Sequence, residues 1–385
     1  MPLATAEREE RALWLRLTLT SGVGPAAARR LLEDLGLPED IFASHRARLA
    51  KVIDSALAHA LLAADAERDA LIERCLDWAG GERNHLLVLA DPGYPQALLT
   101  LPDPPPLLFV RGDRERLNRP AMAVVGSRHA TRGGAGHAHD FARALGAAGW
   151  TIVSGLAIGI DAAAHRGALE TAAGTIAVVG SGLDKVYPAQ HLALAQSISE
   201  NGAIISEFAL GHPPLRANFP RRNRLIAALS RGVLVVEAAR HSGSLITARL
   251  AGDMGREVFA IPGSIDSPVT KGCHALIKQG AKLVESADDV LSEFGAGPPA
   301  AAGSARASSV VPTPTDPGQT DASADSIDKS MLALIRSVGW DPISSDELAT
   351  RSAMAAGDIA SALMRLELAG RVERLDDGRY QRVRA

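Results

Sequence analysis

An α/β fold built on a doubly wound parallel sheet is predicted for this chain by two patterns. Six short runs rich in Val and Ile recur in its middle: MAVVG (122–126), WTIVSG (150–155), TIAVVG (175–180), AIISE (203–207), GVLVVEA (232–238) and EVFAIPG (257–263). Their unbroken apolar character is that of strands buried on both faces. The stretches between them are long enough for helices, which gives repeated βαβ units. AKLVES, starting at Ala281, fits a seventh strand.

Composition breaks divide the rest. Everything before Leu86 reads as helical. Within it, the turn Gly22-Val23-Gly24 leads into Pro25, which suits a first helical turn, and Gly36 suits the end of that helix. PDPPP (102–106) cannot be helix interior. Residues 295–325 are rich in Pro, Ala, Ser and Gly and read as a disordered linker. Beyond it, helices over 327–337, 345–353 and 356–369 precede RVERL, a turn at Asp377-Gly378, and YQRVR. Ser344 with Glu347 has the form of a capping box, and Gly370 follows as a stop. Three helices and a hairpin make a winged-helix pattern. The expected division is therefore 1–85 helical, 86–294 sheet-containing, 295–325 linker and 326–385 winged helix.

The bulk numbers restrict the function classes. The 385 residues carry a net charge of −3, so any nucleic-acid site must be a local patch. Two distant cysteines, Cys75 and Cys273, argue against a disulfide framework or a zinc site and fit a reducing cytosol. The N-terminus lacks the apolar core of a signal peptide, and no apolar run approaches the roughly 20 residues of a membrane helix. A cytoplasmic protein without a membrane span is expected.

Enzyme motifs fit poorly. The first strand turn reads GSRHATRGG rather than GxGxxG, and Gly180-Ser181-Gly182 has Lys185 where a third glycine belongs. No Gly-Lys pair for a Walker loop occurs. His137 and His139, two apart on a helix, face different ways and make a poor metal pair. Asp161 and His165 share a helix face, either as an acid/base pair or as a hydrogen bond fixing the helix start. No cofactor, metal or catalytic residue is expected.

GHPPLRANFPRRNRLIAALSR (211–231) carries Arg216, Arg221, Arg222, Arg224 and Arg231 and no acid. The prolines indicate a loop, after which RRNRLIAALS starts a helix whose N-terminus attracts phosphate. Phe219 among the arginines is a stacking platform for a base, or else a core anchor beside a solvated face. Ligands of such sheets sit at the carboxyl ends of the strands. Gly126, Ser127 and Arg128 follow the first strand directly. Ser242, Gly243 and Ser244 follow the strand ending at Glu237 and can present N–H and O–H groups to phosphate. Three chain segments thus converge on an anionic ligand.

At this point the chain resembles the DNA-processing protein A family (DprA, also called Smf). The resemblance rests on GSR (126–128), GIDAAAHRGAL (159–169), NFPRRNRLIAALS (218–230), EAARHSGSLITA (237–248) and IPG followed by GCHALIKQGA (272–281), and covers at least residues 91–294. It implies an extended Rossmann fold that binds single-stranded DNA as a homodimer and loads RecA recombinase during natural transformation. By position it implies DNA contacts from Arg128, Arg216 and the stacking Phe219. The glycine turn before the helix at Pro25 resembles a helix-hairpin-helix element, the N-terminal block as a whole is SAM- or helix-hairpin-helix-like, and this block and the C-terminal winged helix match arrangements found in the family. His274 departs from the Asn usual at its position, which bears on local pocket shape. Together the two readings give Gly126, Ser127, Arg128, Arg216, Asn218, Phe219, Arg221, Arg222, Ser242 and Gly243 as the expected DNA-binding set.

Two rivals remain open. A nucleotide-cleaving phosphoribohydrolase uses a related sheet, but its PGGxGTxxE motif is replaced here by SGSLITA. A winged-helix regulator would read duplex DNA, but the last helix offers Arg365 beside Asp358 and Glu367, a poor phosphate face.

Overall fold

The computed structural model describes residues 4–295, 329–338, 342–352, 354–375 and 377–383. The chain divides into two compact units, residues 1–263 with 268–299, and residues 264–267 with 300–385.

The first unit begins with six helices: α1 (Thr5–Leu19), α2 (Pro25–Leu35), α3 (Pro38–Ala43), α4 (Arg46–Leu49), α5 (Ser55–Leu62) and α6 (Ala66–Ala79). Strands β1 (Asn84–Val88), β2 (Leu107–Gly112) and β3 (Ala121–Val125) follow. Then helices and strands alternate: α7 (Arg132–Ala147), β4 (Thr151–Ser154), α8 (Ile160–Leu169), β5 (Thr175–Val178), α9 (Leu192–Asn201), β6 (Ala203–Ser206), α10 (Asn218–Leu229), β7 (Gly232–Val235), α11 (Ser244–Asp253), β8 (Glu257–Ala260), α12 (Lys271–Lys278), β9 (Lys282–Leu283) and α13 (Ala287–Leu291).

All seven strands expected from the apolar runs are present, as β3 to β9. Their centres are dry: Ile152, Val153, Ile176, Val178, Val233 and Leu234 are fully buried. One face packs under α10 and α11, the other under α7 and α8. The sheet has nine strands in the order β1-β2-β6-β5-β4-β3-β7-β8-β9. β1 and β2 were not expected, and they correct the all-parallel picture, because β1 pairs antiparallel with β2 and β2 antiparallel with β6. From β3 the chain winds outward through β4, β5 and β6, then returns to β7 on the other side of β3. That reversal is the topological switch point, where the carboxyl ends of β3 and β7 part and leave a crevice.

The N-terminal helices are not a free-standing layer. Trp14, Leu15, Ile72, Cys75 and Leu76 share one core with Leu86, Phe109, Leu183 and Ile204. A second cluster, including Leu17, Leu31, Ile41 and Leu61, lies within the helices themselves. β1 starts at Asn84, inside the segment expected to be wholly helical. Pro25 opens α2 at its first turn, and Gly36 closes it at φ 96°. Cys75 and Cys273 are both buried and free. Among the described residues no helix is long and apolar enough to cross a membrane.

In the second unit, α14 (Lys329–Val338), α15 (Ser345–Ser352) and α16 (Ala356–Leu368) precede the antiparallel pair β10 (Val372–Arg374) and β11 (Tyr380–Arg382). Leu334, Ile343, Leu348, Leu363, Leu366 and Val372 form its core. The capping box is made: Glu347 N–H donates to Ser344 Oγ, and Ser344 N–H to the Glu347 carboxylate. The expected linker lies, apart from Gly295, outside the described residues.

Gly112 shows how tightly the antiparallel edge is set. It sits at φ 110°, and a Cβ there would overlap the Gly202 carbonyl oxygen. Gly112→Ala is expected to lower the stability of this unit by roughly 1–3 kcal/mol, through strain at positive φ and the clash. A denaturant titration reads this as a lower midpoint, and an unchanged midpoint would contradict the packing described.

Candidate functional site

The crevice is built from strand ends whose backbones are pinned from below. After β3, a side chain at Gly126 would lie 2.6 Å from Ile160 Cγ1 and 2.8 Å from the Glu237 carbonyl oxygen, so only glycine lets the chain turn here. The buried Ser127 accepts the His129 N–H on its Oγ at 3.1 Å, and its carbonyl accepts the Ile160 N–H at 3.2 Å. These bonds hold the turn and leave Arg128 exposed at its tip.

After β4 the chain turns through Leu156, which has φ 59° and is buried. Its N–H donates to His165 Nε2 at 3.3 Å, and its carbonyl accepts from His191 Nδ1 at 2.9 Å. His165 Nε2 being an acceptor, Nδ1 carries the proton and donates to Thr175 Oγ1 at 2.7 Å, and Thr175 in turn donates to Ile152 O. Complete burial pushes the His165 pKa down to about 3, with His191, Arg222 and Arg166 adding to the effect, so the ring is neutral. Asp161 accepts from Gly155 N–H at 3.1 Å and Ala157 N–H at 3.3 Å. Asp161 and His165 do not bond each other; both hold the turn that leads into α8, through N–H groups of the loop and not of the helix's own first turn. After β7, the buried Glu237 accepts from the Thr131 hydroxyl at 2.6 Å and its N–H at 3.0 Å. Thr131 Oγ1 also accepts the Gly134 N–H and caps α7. Ser242 and Ser244 bond to each other at 2.7 Å at the start of α11.

α10 begins at Asn218, earlier than expected, so Phe219 stands in its first turn rather than in a loop. Pro220 is tolerated because the first four N–H groups of a helix have no intrahelical acceptor. Asn218 is buried, and its amide donates to the carbonyls of Gly180 at 2.8 Å and Pro213 at 3.1 Å, which fixes where the helix starts.

The arginine-rich stretch is not one uniform positive patch, because acids distant in sequence meet part of it. Arg224 is buried and bonds Glu207 at 2.6 Å and the Asp103 carbonyl at 2.7 Å. Arg221 reaches the same Glu207 at 3.0 Å and lies 5.1 Å over the Phe208 ring. Burial still pushes the Glu207 carboxyl up, opposed by those two cations. Arg222 is 4% exposed. Burial lowers its pKa to about 10, the Asp161 charge opposes that shift, and the guanidinium stays charged at neutral pH. Arg128 and Arg216 are exposed, and among the described residues neither has a carboxylate in ion-pair range. Arg128 lies 5.0 Å and Arg222 5.9 Å from the Phe219 ring centre.

The resulting crevice has a volume of about 610 Å³. Gly126, Ser127, Arg128, Arg216, Phe219, Arg222, Ser242 and Gly243 all line it. Asn218 and Arg221 do not. Their side chains serve the α10 start and the Glu207 pair instead. Sequence reasoning missed His129, His241 and Asn223, which also line the crevice. His129 directly follows residues 126–128 and His241 directly precedes Ser242, both segments already singled out, and Asn223 lies one helical turn beyond Phe219 on the same face. His274 Nε2 bonds the Gly263 carbonyl at 3.0 Å and is not among the lining residues.

Fold and crevice together define a Rossmann-like α/β protein whose strand-end cleft gathers guanidinium groups, a helix N-terminus and an aromatic face. A family model described as DNA recombination-mediator protein A matches residues 85–295, and one described as DprA winged helix domain matches residues 315–378. The chain belongs to the DNA-processing protein A (DprA/Smf) family. It is 34% identical to Protein Smf of Synechocystis over 97% of this chain and 99% of that one, and 41% identical to Protein Smf of Escherichia coli over 81% of each. An X-ray structure of DprA from Streptococcus pneumoniae superposes with a TM-score of 0.64 at 36% identity, covering 76% of this chain and 99% of that chain. A structure of DNA processing protein A from Helicobacter pylori, described for its single-stranded DNA binding mode, gives 0.50 at 32% identity over 54% and 95%.

The neutral, buried His165 makes stability depend on pH. Unfolded, the ring titrates near 6.5, and folded near 3. Between those values the unfolded chain binds the extra proton, so this contribution is present above about pH 6.5 and is lost as pH falls toward 3. One such group gives a slope of at most about 1.4 kcal/mol per pH unit. His165→Gln is expected to melt lower at pH 7 but to lose less stability between pH 7 and 4 than the parent chain. Parallel melting curves against pH would refute this.

Proposed function

We propose that the crevice binds single-stranded DNA, and that the chain works by binding and not by turnover. The observation that carries this reading is Phe219 at the crevice with Arg128 5.0 Å from its ring and the exposed Arg216 among the same lining residues. Arg128 and Arg216 would neutralise phosphates. Ser242 and Gly243 at the N-terminus of α11, with Gly126 and Ser127 in the turn after β3, would complete the cradle. Phe219 would stack a base, and Arg222 would supply a buried positive floor. Asn218 and Arg221 take part by holding α10. Every base has a π-face, so little sequence preference follows.

Family membership supports the wider role. The description of the family as recombination mediators and the single-stranded DNA mode reported for the Helicobacter pylori relative favour a protein that protects incoming DNA and loads RecA recombinase in natural transformation. A cytoplasmic homodimer, with residues 86–294 as the DNA-binding part, belongs to the same reading. The rivals gain nothing from the geometry. Asp161 and His165 are engaged with backbone and Thr175, and α16 exposes Met364 and Leu368 beside Asp358 and Glu367.

Fluorescence anisotropy with labelled oligo-dT at two salt concentrations tests the proposal. The parent chain is expected to bind, and to bind more weakly as salt rises through counterion release. Phe219→Ala should lose roughly 1–3 kcal/mol. Arg216→Ala should weaken binding alike on all sequences and reduce the salt slope by about one. Binding unaffected by Arg128→Ala and Phe219→Ala in folded protein would place the DNA elsewhere.

A further inference from the structure

We propose that Tyr187 is a second base-stacking residue just outside the crevice, so that two successive bases of one strand are held, one on Phe219 within the crevice and the next on Tyr187 beside it. The inference rests on the single-stranded DNA reading above. Tyr187 lies in the segment between β5 and α9, beyond the carboxyl end of β5 and so at the same end of the sheet as the crevice. It does not line the crevice itself but a smaller neighbouring pocket, with Lys185 and Val186. Its ring centre is 6.3 Å from that of Phe219, with the planes at 43°.

Exposure is what sets this ring apart. The chain has only 3 Tyr, 4 Trp and 7 Phe, and Trp14, Tyr94, Phe109, Trp150 and Phe259 are fully buried. Tyr187 is 50% exposed, the one aromatic side chain among the described residues that presents so much of itself to solvent. Among them, too, its hydroxyl bonds to no protein group, so no hydrogen bond accounts for the ring's position. An aromatic ring held at the surface beside a stacking platform forgoes burial that would stabilise the fold. It is suited to covering an apolar surface that arrives with a ligand.

The angle decides how many bases are served. Rings inclined by 43° cannot both lie flat against one planar base, so each ring offers a separate face. Their tilted contact, within the range of favourable aromatic pairs, also steadies both rings before a ligand arrives. Lys185, two residues before Tyr187 and exposed, lines the same small pocket, and would meet the phosphate beside the second base. Arg128 and Arg216 serve the first.

The test uses the full chain and the shortest oligo-dT that binds at full affinity, with single abasic sites moved along it. An abasic site keeps the phosphates and removes one stacking face. The parent chain should show two adjacent positions at which the lesion weakens binding about tenfold. Tyr187→Leu, which keeps apolar volume but no flat face, should bind the intact oligonucleotide about tenfold more weakly and be indifferent to one of those positions. Phe219→Ala should be indifferent to the other, and Tyr187→Phe should match the parent. Tyr187→Leu binding like the parent while Phe219→Ala is impaired overturns the Tyr187 proposal alone. So does a Tyr187→Leu variant that is weaker yet still sensitive at both positions, since the ring would then only support Phe219. Failure of the parent chain to bind oligo-dT overturns this proposal and the DNA reading together.

Discussion

A guanidinium buried beneath the crevice is the constraint around which the site is arranged. A charge of that size is expensive to remove from water unless neighbouring groups compensate it. Arg222 has the charge of Asp161 nearby and the Phe219 ring at 5.9 Å. Asp161 is itself fixed by the N–H groups of Gly155 and Ala157. Gly155 leaves room for the Arg222 guanidinium, because a side chain there would overlap that group and have to displace it. The turn after β4, the start of α8 and the middle of α10 are thus tied together by one cation. Burial lowers its proton affinity only to about 10, so it remains a fixed positive charge under any anion in the crevice.

The net charge of the chain is −3, yet its crevice is cationic. The acids nearest the site are spent internally. Glu207 is held between Arg221 and Arg224, Glu237 is bonded to Thr131, and Asp161 accepts backbone N–H groups. Negative charge that would repel a phosphate is therefore buried and answered by donors, while Arg128 and Arg216 reach solvent. Selective neutralisation, more than an excess of basic residues, sets the sign of the local field.

Much of this was legible in the sequence. β3 to β8 announce themselves as Val/Ile runs because both their faces are buried, and the strand-end rule led to Arg128, Ser242 and Gly243. β1 and β2 were less visible, since NHLLV begins with two polar residues and LLFVRG follows a run of prolines. The start of α10 was misplaced because Pro220 reads as a loop residue, although the first turn of a helix accepts it. The partners of Arg224 could not be read at all. Asp103 lies 121 residues away and Glu207 lies 17 residues away in a different element, so their meeting is a property of the folded chain.

The shared core between the N-terminal helices and the sheet edge bears on how this architecture can be rearranged. Phe109 of β2 and Leu86 of β1 are covered by Trp14, Leu15 and Leu76. Without those helices the outer strands would present a bare apolar face and an unshielded rim, the kind of surface that recruits further chains into aggregates. The helical block is therefore not an interchangeable attachment. Removing or exchanging it would leave the two antiparallel strands beneath it without their apolar cover, so helices and edge are one packing unit in this chain.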